Sequence, residues 1–178
     1  MGFQIEDGLG KGFRAGVDDE GHLQADVIVL SELAHQSDIH GLSFVWTSTH
    51  VTSAGDIEFI SIQNDADENL HLSHLTVGSS IANQFTILEV TGGTPSGSTL
   101  AAQNLNLISG VTKANTAFGT TSVSALTGNT LLVARVPASR AIQLEFDDAL
   151  ILGTGDTVAI SALVAASCEA TVFGFWDV

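Results

Sequence analysis

From residue 26 onward the chain is built of short runs in which apolar and polar residues alternate with a period of two, each run bounded by Gly, Asn, Asp or Ser. That pattern is the signature of half-buried strands. The runs fall at residues 25–30, 42–50, 56–63, 70–77, 84–91, 130–136, 141–146, 157–164 and 170–176. In the second of them Leu42, Phe44, Trp46 and Ser48 share one face, and Ser43, Val45, Thr47 and Thr49 share the other, as in a sheet with one face on a core. Turn chemistry separates the runs at residues 53–56, 64–67, 92–95, 127–129 and 153–156, all rich in Gly, Asn, Asp or Ser. A helix has room only at residues 31–36, as one turn with Ser31 as its N-cap. The pattern predicts an all-β fold over residues 25–178, a jelly-roll-like two-sheet sandwich.

Two stretches depart from it. Residues 1–24 carry Gly8, Gly10, Gly12, Gly16 and Gly21 in a polar, charge-dense setting that offers little apolar surface against its ordering entropy. They read as an extended N-terminal arm whose candidate apolar contacts are Phe3, Ile5, Phe13 and Val17. Residues 91–130 are rich in Thr, Ser, Gly, Asn and Ala, and no carboxylate occurs between Thr91 and Leu144. Such a length exceeds an ordinary connection in a compact domain. It is expected to carry irregular strands or to meet another chain.

Charge narrows the possible partners. The 178 residues include 5 Lys+Arg against 20 Asp+Glu, a net charge of −15. Nucleic-acid binding relies on clustered cations, so it is excluded as a role, and attachment to an anionic membrane is disfavoured by the same sign of charge. No apolar run reaches the ~20 residues that a spanning helix needs. The N-terminus lacks a basic region followed by an apolar run, which predicts no secretion signal. Cys168 is the single cysteine, so no intrachain disulfide forms, and it follows an apolar run as a small buried residue would.

Five features of the chain bear on chemistry. The stretch Asp7-Gly-Leu-Gly-Lys-Gly12 suggests a phosphate loop, but Ile5 stands where the first glycine belongs and Gly12 where a magnesium-binding hydroxyl belongs. His71 and His74 are an odd number of residues apart, which in a regular strand places them on opposite faces. Asp65-Ala-Asp-Glu-Asn69 opens like a calcium loop, yet Leu70 replaces the turn glycine and Thr76 the bidentate glutamate, leaving a solvated turn. Asp147 and Asp148, as neighbours in a strand, are expected to face apart. No serine elbow, Ser-x-x-Lys or His-Glu-x-x-His motif occurs. The expectation is therefore no enzyme, no cofactor and no metal.

Several segments carry a family resemblance: Asp7-Gly-Leu-Gly-Lys-Gly-Phe-Arg-Ala-Gly-Val-Asp18, Gly21-His-Leu-Gln-Ala25, Ser31-Glu-Leu-Ala-His35, Ile60-Ser-Ile-Gln-Asn64, Thr91-Gly-Gly-Thr-Pro-Ser-Gly97, Ala149-Leu-Ile-Leu-Gly153 and Phe173-Gly-Phe-Trp176. With these the chain resembles, over nearly its full length, the small β-sandwich virion proteins of tailed bacteriophages, a group that includes head decoration (cement) proteins and tail or neck components. The resemblance implies a structural homotrimer made in the bacterial host cytoplasm and carried on the outer surface of the virion capsid. It also implies the phage major capsid protein as partner, contacted by an arm here bearing Phe3, Ile5, Phe13 and Val17. The alternative is a tail, neck or fibre domain that binds a host-surface receptor or glycan through residues 91–130.

Overall fold

The computed structural model describes residues 16–17, 23–24, 32–52, 57–119 and 126–177, in two compact units, 1–31 and 32–178. In the first unit two short strands, β1 (Gly16–Val17) and β2 (Leu23–Gln24), pair antiparallel, Val17 opposite Leu23. The expected contacts Phe3, Ile5 and Phe13, the run 25–30, the turn 53–56 and the cap Ser31 lie outside the described residues.

The second unit opens with α1 (Glu32–His35), which runs into a π-helical turn over Gln36–His40. Gly41 ends it at φ 66°, where any Cβ would also lie 2.5 Å from the Cβ of Ser109, so two independent constraints ask for glycine. The helical segment is thus longer than the one turn its sequence suggests.

Eleven strands follow: β3 (Ser43–Val51), β4 (Ile57–Asn64), β5 (Leu70–Ser79), β6 (Asn83–Gly92), β7 (Ser98–Thr99), β8 (Gln103–Asn104), β9 (Asn115–Gly119), β10 (Thr127–Val136), β11 (Arg140–Leu152), β12 (Thr157–Ala162) and β13 (Ser167–Trp176). They form two antiparallel sheets, one in the order β10-β6-β12-β4-β9-β7 and the other in the order β11-β5-β13-β3-β8. The pairs β3–β13, β4–β12, β5–β11 and β6–β10 make one long antiparallel ribbon folded onto itself, which is the wiring of a jelly roll. The apex of that ribbon is the connection between β6 and β10, the stretch without carboxylates.

The core lies between the sheets. Trp46, Trp176, Phe44, Phe59, Phe85, Ile60, Ile62, Leu72 and Leu75 are all fully buried there. Burying each such side chain contributes about 1.5–3 kcal/mol relative to exposure. Alternation in β3 is as the sequence implies, Leu42, Phe44, Trp46 and Ser48 being buried while Thr47 and Thr49 are exposed. Phe44 meets Trp176 edge to face at 4.9 Å, and Phe59 meets Phe85 at 5.7 Å.

Three local expectations are corrected. A bulge at Ser73 sets both His74 opposite Phe173 and His71 opposite Phe175, so the two histidines share the outer face of the sheet rather than opposing ones. Asp147 and Asp148 do not alternate: both adopt left-handed backbone (φ 48° and 59°) where β11 bulges out between Glu145 and Leu150. Residues 127–129 are not a turn but the start of β10. There Gly128 passes so close to β6 that a Cβ would sit 1.9 Å from the Glu89 carbonyl oxygen.

Candidate interface

The carboxylate-free stretch is divided by the fold between opposite sides of the sandwich. Its first part supplies β9 and β7, which extend one sheet beyond β4, and β8, which extends the other beyond β3. Its last part supplies β10, the strand at the opposite edge. The expected irregular strands are therefore present, and they close one side where β9 lies along β4 and where β8 meets β3 at Phe44 and Val45.

Asparagine side chains hold that closed side. Asn64, fully buried, donates from Nδ2 to the carbonyls of Glu68 (2.8 Å) and Leu152 (2.9 Å), while its Oδ1 accepts from Trp176 Nε1 (2.8 Å) and from Ala66 N (3.1 Å). Asn115 Oδ1 accepts from Trp46 Nε1 at 3.2 Å. Asn104 Nδ2 lies 2.7 Å from the carbonyl of Gly41 and 3.0 Å from that of Val111, and its Oδ1 accepts from Asn106 N at 2.8 Å. Asn106 Nδ2 in turn donates to the Ser37 carbonyl at 2.8 Å. Polar side chains here take the backbone groups that a loop cannot pair for itself.

This scaffold carries two bare aliphatic side chains at its tip. Leu107 is 91% exposed and Ile108 94% exposed, although the residues on either side are fixed by Asn104, Asn106 and Ser109. Sequence reasoning missed the pair because no alternation marks a loop. The signal available was Asn104, Asn106 and Ser109 at the spacing of side-chain-capped turns.

The opposite side is open. No strand pairs with the outer edge of β10 or β11 among the described residues. In β10 a bulge between Thr130 and Leu132 leaves Leu131, Leu132 and Val133 all exposed, so that apolar groups emerge on both faces of one strand. Across the sandwich, Ile142, Leu144, Phe146 and Leu150 of β11 pack on the core but are only half-buried. On the outer face beside β10 a shallow groove contains Glu58, Thr86, Leu88, Thr130, Val133 and Ser161. Glu58 is buried and its Oε1 accepts from Leu126 N at 3.2 Å.

The two histidines brought together by the Ser73 bulge are engaged in packing. His71 stacks on Phe175 at 5.0 Å and His74 on Phe173 at 4.1 Å. His71 Nδ1 lies 3.2 Å from the Asp148 carbonyl, and its Nε2 lies 3.0 Å from Asp177 Oδ1. These contacts tie the β11 bulge and the end of β13 to β5. Cys168 is 1% exposed, with Asn83 Nδ2 3.7 Å and Ser79 Oγ 3.9 Å from its sulfur. Among the described residues no three His, Cys, Asp or Glu side chains are grouped to hold a metal ion. What the arrangement offers is surface for association. Against this geometry, no family model, no curated protein and no solved structure matches the chain.

Proposed function

We propose that the chain is a non-enzymatic structural protein of a tailed-phage virion: a homotrimeric capsid decoration protein that binds the head shell and stabilises it. The observation that carries this reading is a set of exposed aliphatic side chains in a stretch without carboxylates, with others elsewhere at Ile39, Val51, Ile81, Ile151, Leu163 and Val164. The chain has a net charge of −15, yet the exposed Leu107, Ile108, Leu131, Leu132 and Val133 all lie in the stretch that has no carboxylate. Interface cores are depleted in charge in the same way, and anionic surface elsewhere limits non-specific adhesion. A protein that binds only the assembled shell stabilises that shell by mass action.

The test is a comparison of virions with and without the protein. Heads lacking it are expected to release DNA at lower temperature, and purified protein added back is expected to restore them. Heads of unchanged stability would overturn the reading, and loss of host adsorption in their place would establish the receptor-binding alternative.

A further inference from the structure

We infer that the β10 edge of the sandwich, centred on Leu131, Leu132 and Val133, is the surface on which copies of this chain meet. The inference rests on the reading of the chain as an assembly protein and names the contact that the assembly uses.

Three observations converge on that edge. The first is its backbone: β10 is a ten-residue strand with no partner on its outer side among the described residues. Edge strands that remain single are ordinarily blunted by charge or proline, whereas the first eight residues of β10, Thr-Gly-Asn-Thr-Leu-Leu-Val-Ala, contain neither, Arg135 standing near its end and Pro137 just beyond it. The second is its side chains. The bulge at Leu131 exposes three consecutive aliphatic residues, and Ile142 and Leu144 at the neighbouring edge are only half-covered. Exposed aliphatic side chains thus lie along a strand edge that has no partner among the described residues.

The third observation selects the occupant. Two copies of a chain with a net charge of −15 repel one another wherever their carboxylates face. An uncharged strip can meet its equivalent on another copy without that cost. A basic partner surface, by contrast, would find no carboxylate to pair with along residues 127–134. A second copy of this chain therefore fits the β10 edge better than a cationic shell does.

The experiment combines light scattering after size exclusion with re-binding to stripped heads, using the full chain. Wild type is expected to elute as a trimer, and Leu131→Glu/Val133→Glu to fall threefold in mass, to the 18.4 kDa of one chain. Leu107→Glu/Ile108→Glu is expected to keep the wild-type mass. Because Leu131 and Val133 are exposed, the edge variant should retain the circular dichroism of the wild type. Should it not fold, hydrogen exchange on the wild type decides in its place: amides of residues 128–134 are expected to slow as protein concentration rises. An edge variant of unchanged mass, or exchange independent of concentration, overturns the inference. A wild type of 18.4 kDa that still binds heads overturns it while leaving the virion reading intact. An oligomer that needs β10 but ignores heads does the reverse.

Discussion

The two sides of the sandwich both take edge strands from one carboxylate-free stretch of chain and end up in different states. On the β3–β4 side, the added strands β7, β8 and β9 and the side chains of Asn104 and Asn115 take up backbone and indole groups, and Asn64, at the end of β4, ties the β4–β5 turn to Trp176 and to Leu152 of β11. On the β10–β11 side, the strand edge carries aliphatic residues and has no partner among the described residues. Composition alone does not distinguish the two, since both are rich in Thr, Asn, Gly and small apolar residues. What differs is whether asparagine stands beside an orphan backbone group. Where it does, the edge is finished within the chain, and where it does not, the edge has no strand partner among the described residues.

The contrast breaks most severely at Asn64. Replacing it with Ala removes four hydrogen bonds and leaves the N–H of buried Trp176 and two carbonyls without their partner. Each buried group left unsatisfied costs about 1–3 kcal/mol, so Asn64→Ala is expected to destabilise the protomer by roughly 3–5 kcal/mol. Urea unfolding followed by tryptophan fluorescence measures it. A loss below about 1 kcal/mol would show that the closed side does not depend on its asparagines.

Asn104→Ala probes the same side nearer the surface. Its amide is only part-buried, and water replaces some of what is lost, so a cost of about 1–2 kcal/mol is expected. The sharper readout is local. Hydrogen exchange at residues 105–111 should accelerate while that of β10 stays unchanged, because the rigidity behind exposed Leu107 and Ile108 comes from this side chain.

A matched pair of aliphatic truncations then compares interior with edge. Ile62→Val, between the sheets, is expected to cost about 0.5–1.5 kcal/mol. Leu131→Ala should leave the isolated protomer within about 0.5 kcal/mol of wild type. If copies meet at β10, the same Leu131→Ala should flatten the rise of melting temperature with protein concentration, an effect that Ile62→Val does not share.

Much of this architecture was legible in the chain. Period-two alternation and β-branched runs located the eight long strands of the second unit, because most of them bury one face more than the other, as in Leu42, Phe44, Trp46 and Ser48, although β12 is buried at every residue. What was not legible involved a change of phase. One extra residue at Ser73 moved His74 to the face of His71, and the bulge in β11 took Asp147 and Asp148 out of alternation. Bulges depend on the register of the neighbouring strand, which a single run does not contain. Gly128 likewise reads as a turn residue, and only the approach of β6 gives it a place within a strand. The stretch without carboxylates was legible as such, but its division between two sides was not, because that follows from the folded ribbon.

The smallest effect concerns an ion pair on the closed side. Lys113, just before β9, forms an ion pair with Glu68 in the β4–β5 turn, and the hydrogen bond from that ammonium holds the Glu68 carboxyl below its ordinary value of 4.5. A carboxyl whose pKa is lower in the folded chain than in the unfolded one stabilises the fold above the unfolded value, and the contribution is lost as pH falls through the lowered one. Lys113→Met should therefore be slightly less stable than wild type at neutral pH, and the gap should close progressively below pH 4.5. Because Glu68 stands in water, the gap should also shrink with added salt. Thermal melts of both proteins from pH 7 to pH 3 test this. A difference that persists at pH 3 would mean that Lys113 acts through the packing of its aliphatic stem on the β9 side and not through its charge.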